Sequence, residues 1–246
     1  MLTLSNDLKT RFYKAHKNTF GLLPGPEHTC PCATEGEGGC WEPAKAGSKL
    51  KTCYAQRLCV LRVNVRKSLE HNTIEIKSVT DKKTTLQNMF SSFETSVVKW
   101  AIRNKKDPKD YLYFRLHWSG DLFDAEYTRA LAEAMDISPK ITFWGYTRSF
   151  DFVPILAGVR NLVLYLSLDR QNIEKGLQCY NNNPWTRISW LDVSNDICKQ
   201  GYTKWPESVK LTACPADTNK IPKEGSCAHC KICLGPKKTH VWFKTR

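Results

Sequence analysis

Eleven cysteines, most of them gathered near the two ends of the chain, are the residues with the sharpest chemical meaning. The carboxy-terminal group reads Cys214-Pro215, then Cys227-x-x-Cys230-x-x-Cys233. A two-residue gap lets a tight turn aim both sulfurs inward, so this set predicts four ligands around one centre. A three-cysteine run with a remote Cys-Pro is the spacing of iron–sulfur ligation, whereas zinc normally takes two separated pairs. Zinc is the alternative, and free thiols the plainest one. The amino-terminal group, Cys30, Cys32, Cys40 and Cys53, is more loosely spaced. Its first three members lie inside, and Cys53 just after, a Gly-, Pro- and Cys-rich stretch, residues 20–52, that needs something other than a core, such as a metal centre, to order it. If Cys30, Cys40 and Cys53 alone bind an iron–sulfur cluster, one iron stays open to a ligand; if Cys32 joins them, the cluster is closed. The plain reading makes Cys53 the first residue of a helix and the others incidental thiols. The sequence also admits a single cluster bridged by ligands from both ends. Cys59, Cys179 and Cys198 read as small buried residues.

A second candidate site is polar. The apolar run ending in HWSGD stops at Ser119, Gly120 and Asp121, which neither fill a core nor extend a strand. The elements around it explain the stop. YLYFRLHW (111–118), ITFWGY (141–146) and NLVLYLSL (161–168) read as strands that scarcely alternate and are therefore buried on both faces. RISWLDV (187–193) and VKLTAC (209–214) are further strand candidates. A helix over 124–136, capped by Asp124 with Tyr127, Leu131 and Met135 on one face, joins the first two strands. Strand, helix and strand in that space form a βαβ unit, so the fold class is α/β with a parallel sheet, an open or partial barrel flanked by Cys-rich irregular terminal segments. Two more helices precede it, one from Cys53 to Leu69 and one from about Thr85 to Asn104 with an apolar stripe of Leu86, Met89, Phe90, Phe93, Val97, Trp100 and Ala101. Ligands in such sheets sit at the carboxyl ends of the strands. Ser119, Gly120 and Asp121 stand there, as do Thr147 and Arg148 after the second strand and Ser167 and Asp169 after the third. The plain reading of Ser-Gly-Asp is a turn and a helix cap.

The composition sets limits. At 246 residues the chain can bury one full core, and one domain is the default. No apolar run approaches the length of a membrane span, and the start, MLTLSNDLKTRFYKAHK, lacks a secretory signal's hydrophobic centre. The expected location is the cytoplasm, where clustered thiols point to metal or catalysis more than to disulfides. The formal charge of +13 suits a nucleic-acid partner, because each Lys or Arg on a phosphate releases a counterion. A merely solvated basic surface is the alternative. HExxH, a paired-carboxylate motif and a GxxxxGK phosphate loop are all missing, which disfavours a zinc hydrolase or nuclease.

On TCPCA, CYA, FRLHWSGDLFDAEY, FWGYTRS and the closing CPAD…CAHCKICLG…HVWFK, the chain resembles a bacteriophage family named after mycobacteriophage gene product eighty-eight, from about Thr29 onward. More distantly, it is similar to the radical S-adenosylmethionine enzymes, which have a partial α/β barrel and a three-cysteine loop near the start. That likeness implies that Cys30, Cys40 and Cys53 hold a 4Fe-4S cluster with an open iron at which S-adenosylmethionine is reductively cleaved. Ser119, Gly120 and Asp121 would match the turn that holds the methionyl amino group, with Arg148 and Asp169 contacting cofactor or substrate. Cys214, Cys227, Cys230 and Cys233 would hold a second cluster. The spacings depart from the usual Cys-x-x-x-Cys-x-x-Cys of those enzymes, and Cys32 could complete the first cluster. The expectation is thus an iron–sulfur protein of phage type with a radical-enzyme-like partial barrel, located in the host cytoplasm and acting on or bound to nucleic acid. The alternative is a non-enzymatic, metal-stabilised nucleic-acid-binding module.

Overall fold

The computed structural model describes residues 1–33, 53–169, 171–192, 209–222 and 224–244. Its centre is a six-stranded sheet built from β1 (Tyr113–Arg115), β2 (Thr142–Thr147), β3 (Leu162–Leu168), β4 (Arg187–Asp192), β5 (Leu211–Ala213) and β6 (His240–Lys244). The spatial order is β1-β2-β3-β4-β6-β5, and every pairing is parallel. The sheet is open: β1 and β5 are its two edges.

Among the described residues six α-helices accompany it: α1 (Tyr54–Leu61), α2 (Val63–Ser78), α3 (Lys82–Arg103), α4 (Ala125–Asp136), α5 (Ile173–Asn182) and α6 (Ser226–Cys230). The predicted unit of strand, helix and strand is β1-α4-β2, and Asp124 caps α4 by accepting from the backbone N–H of Tyr127. Asp81 does the same for α3, accepting from Thr84, which places that helix start three residues before the expected Thr85. The stripe on α3 packs as expected: Phe90 and Phe93 lie fully buried against Phe114 of β1. Phe90 also meets Phe143 of β2. Each such ring stabilises the fold by about 1.5–3 kcal/mol through the area it removes from water.

Four elements differ from expectation. The single helix expected over Cys53–Leu69 is two, interrupted at Arg62, whose backbone (φ −134°, ψ 89°) leaves the helical region. The interruption turns Leu61 to solvent, while Leu69 remains in the core. The first strand is shorter than 111–118 because His117 takes φ +45°, which no extended chain can follow. Helix α5 and strand β6 had no counterpart in the sequence reading. The central strands are largely buried on both faces, as expected, but the two faces differ in kind. Phe114, Phe143, Leu164, Leu166 and Ile188 are buried in the main core, whereas Arg115, Trp144, Tyr146, Ser167 and Ser189 line a cavity on the opposite side. Cys40 and Cys198 lie outside the described residues. Among the described residues no helix is long and apolar enough to cross a membrane.

Candidate metal centre

The cavity has a volume of about 390 Å³, within the range of small-molecule and cofactor sites. Six thiols line it: Cys30, Cys32 and Cys53 from the amino-terminal part, and Cys214, Cys227 and Cys233 from the carboxy-terminal part. Ser119, Gly120, Asp121 and Arg148 line it too. The two predicted constellations therefore share one wall. Cys230 lines a smaller adjoining cavity of about 30 Å³ together with Cys214, Cys227 and Cys233. Asp169 is held one step back, behind Arg148.

The amino-terminal thiols arrive because the chain before them runs along the free edge of β1. The N–H of Arg115 donates to the carbonyl of Asn18 (2.8 Å), that of Trp118 to Phe20 (3.1 Å), and that of Leu22 to Ser119 (2.8 Å). The Ser119 hydroxyl donates to the Leu22 carbonyl at 2.8 Å, and the N–H of Asp121 to the Thr29 carbonyl at 3.0 Å. Gly120 sits between these bonds with φ +82°, and a Cβ there would stand 2.6 Å from Thr29 Oγ1 and 2.7 Å from Leu22 Cβ. Only glycine gives both the left-handed backbone and the close approach. One residue beyond Thr29 the chain reaches Cys30.

Asp121 does not offer a free carboxylate. It accepts from Thr147 Oγ1 (2.6 Å), the N–H of Arg148 (2.7 Å) and the N–H of Leu122 (2.7 Å), tying the end of β1 to the end of β2. Burial raises its pKa, and these hydrogen bonds oppose the rise. Arg148 pairs with Asp169 at 2.7 Å, both buried, tying β2 to β3. Asp169 in turn accepts from the N–H of Gln171 at 2.9 Å. The polar strand ends thus clamp three strands together, and Ser119, Gly120, Asp121 and Arg148 face the cavity while doing so. His117, at its strained φ, is also in the wall. Its Nε2 lies 2.6 Å from the Tyr127 hydroxyl, and burial pushes its pKa down to about 3, so the ring is neutral.

The carboxy-terminal thiols are arranged by α6. Cys227 and Cys230 are three residues apart on one helical turn and so share a side. Lys231, at φ +51°, then reverses the chain and brings Cys233 back. The amino terminus holds this turn in place: the N–H groups of Gly225 and Cys227 donate to the carbonyls of Leu8 (2.9 Å) and Lys9 (3.0 Å). Lys9 also pairs with Asp217 at 2.9 Å. The sulfurs feel one another. Burial pushes the Cys227 thiol up to about 12, with the charges of Cys233 and Cys214 adding to the rise and Arg115 opposing it. Cys233 is raised by burial, countered by the hydroxyls of Tyr146 and Tyr165, with Cys214 and Cys230 again adding to the rise.

A family profile described as Gene product 88 matches residues 2–235. The chain belongs to the Gene product 88 family. This is the phage family that its motifs resemble, and the match extends to the segment before Thr29 that runs beside β1. A comparison with curated proteins and one with solved structures find no match.

The donor set suits an iron–sulfur centre. Six of the nine described cysteines ring one cavity. The Ser226 hydroxyl, buried beside the carboxy-terminal group, has no hydrogen-bond partner among the described residues. Among the described residues no three His, Cys, Asp or Glu side chains stand close enough to grip a single ion. A lone tetrahedral ion needs its ligands at a point, at about 2.3 Å for each sulfur. A cluster several atoms across takes thiolates spread around a wall.

Proposed function

We propose that this member of the Gene product 88 family is an iron–sulfur protein, its open sheet serving as a partial barrel that holds a cluster at the mouth. One observation carries the reading: thiols separated by most of the sequence line one cavity, on the sheet face opposite the main core and beside the carboxyl ends of the strands. Cys30, Cys32 and Cys53 would hold the cluster there, with Cys40 as a further candidate by sequence. The carboxy-terminal cysteines hold the opposite wall. Such a group supplies one-electron transfer when bound.

The chain's own part is positioning and shielding. The Ser119 and Gly120 contacts fix the segment that leads to Cys30 and Cys32. The Asp121, Thr147, Arg148 and Asp169 clamp keeps the strand ends at constant spacing, and Trp144 and Tyr146 give the cavity an aromatic floor that limits water. In the radical S-adenosylmethionine reading the same rim, Ser119 to Asp121, receives the cofactor through backbone groups, because the Ser119 hydroxyl already donates to the Leu22 carbonyl and the Asp121 carboxylate accepts from three donors.

Anaerobic purification tests the proposal. It predicts brown protein whose visible thiolate-to-iron absorption bleaches on reduction and is lost when Cys30, Cys32 and Cys53 are replaced. Colourless protein carrying zinc would overturn it. Cleavage of S-adenosylmethionine by the reduced protein would then separate enzyme from electron carrier. The net charge of +13 favours a second reading, a metal-stabilised nucleic-acid-binding module, in which retention of DNA or RNA falls steeply with salt. Retention unaffected by ionic strength would count against it.

A further inference from the structure

At the amino-terminal end of β1, outside the lining of the thiol cavity, aromatic rings from three segments meet. Tyr13 lies flat on Trp100 of α3, with ring centres 3.8 Å apart and planes 1° from parallel. Tyr111 packs edge-on against Trp100 at 4.9 Å, and Phe12 stacks on Tyr113 at 5.5 Å. All five side chains are only half-buried, so the ladder reaches the surface. Exposed cations accompany it: Lys14 and Lys17 follow Tyr13, Arg103, Lys105 and Lys106 follow Trp100, and Lys109 precedes Tyr111. Lys105, at φ +53°, ends α3, and the N–H of Lys106 donates to the Ala101 carbonyl at 2.9 Å, which holds both lysines just beyond the turn that carries Trp100. Among the described residues none of these six cations forms an ion pair. Two carboxylates stand in the same stretch, Asp107 and Asp110, and Asp107 is engaged in accepting from the N–H of Lys109 at 2.9 Å. Arg103 and Lys105 complement the carboxyl end of α3. Lys14 and Lys17 lie on an irregular segment and have no helix end to neutralise.

We infer that this face binds single-stranded nucleic acid, its phosphates on the six cations and its unpaired bases stacked beside Tyr13 and Trp100. A partner that is merely polyanionic would use the charges alone. Aromatic planes set among cations fit the flat face of a base, which a duplex keeps inside its own stack. The cations supply the affinity that salt weakens, because each one on a phosphate releases a counterion. The inference rests on the nucleic-acid reading of the net charge of +13 and gives that contact a place and a strand state.

The test is fluorescence anisotropy of labelled oligo(dT), alone and annealed to oligo(dA), titrated with the full chain over a range of salt. The single strand is expected to bind about 10-fold or more tighter than the duplex. Oligo(U) in place of oligo(dT) shows whether RNA or DNA is the better strand, and either one bound in this way supports the inference. Lys105→Gln with Lys106→Gln should weaken the single strand about 5-fold or more and lower the slope of log affinity against log salt by about 1. Trp100→Ala should weaken it about 5-fold or more with the slope unchanged. Arg57→Gln with Lys67→Gln removes two exposed charges from α1 and α2 and should stay within about twofold of the parent, since salt screens distant charges. Should Trp100→Ala not fold, judged by circular dichroism, the exposed lysine pair carries the test. Equal affinity for strand and duplex, or an equal loss in the Arg57 and Lys67 variant, would overturn the inference. So would poly-Glu that competes as well as oligo(dT), charge for charge. Salt-sensitive binding of the strand that survives the lysine pair and a folded Trp100→Ala would end this inference and leave the nucleic-acid reading standing. Absence of salt-sensitive binding to either form would end both.

Discussion

Gly120→Ala puts the geometry of the site to a quantitative test. The substitution adds one methyl at a residue with φ +82°, 2.6 Å from Thr29 Oγ1 and 2.7 Å from Leu22 Cβ. The left-handed backbone costs an L-residue about 1–2 kcal/mol. The overlap with two packed neighbours adds about 1–3 kcal/mol, since one of them is a Cβ fixed to the main chain. Together these predict a loss of about 2–5 kcal/mol in urea unfolding. The strain falls on the chain between Leu22 and Thr29, so Cys30 and Cys32 shift from the cavity wall and iron content should fall with stability. Gly158→Ala is the control, because a Cβ there meets nothing within 4 Å, and it should stay within about 0.5 kcal/mol of the parent. A Gly120→Ala protein as stable as the parent, with full iron content, would refute the reasoning.

Three other outcomes follow from the same structure. Asp121→Asn places an amide NH₂ among donors from Thr147, Arg148 and Leu122, and unfolding experiments should show a loss of about 1–3 kcal/mol. His16 is buried and its pKa falls to about 4, through burial above all, with Nδ1 accepting from the N–H of Phe12 at 3.2 Å. The unfolded chain therefore takes up a proton between its ordinary pKa near 6.5 and pH 4 that the folded protein refuses. Stability should fall across that window as pH drops, His16 contributing on the order of 3 kcal/mol beside the buried His117 and His240, and His16→Gln should make that part of the profile shallower by about that amount. Gly176→Ala in α5 drives a methyl to 2.6 Å from Leu168 Cγ; despite the better helix former, thermal unfolding should show a net loss of about 1–3 kcal/mol.

The parts legible in the sequence were those where one physical signal dominated. The stripe on α3 and the Asp124 cap of α4 are local patterns, and the short apolar runs gave the parallel sheet with β2 and β3 nearly to the residue. Helix α5 escaped because Gly176 sits in its buried face, where Leu168 leaves no room for a side chain, so the apolar period is broken. β6 is short, and its pairing with both β4 and β5 is a long-range fact that no local window carries. Ser119, Gly120 and Asp121 were legible as a strand end. Their neighbour, the edge segment 18–22, was not, because its bonds to β1 span nearly the whole amino-terminal half.

Iron and acid-labile sulfide, counted per chain in anaerobically purified protein, bear on the central claim most directly. The account predicts both elements in near-equal amounts, falling when the cavity-lining cysteines are replaced. Zinc without sulfide, or cysteines that all react at once with a thiol reagent in protein free of metal, would contradict it.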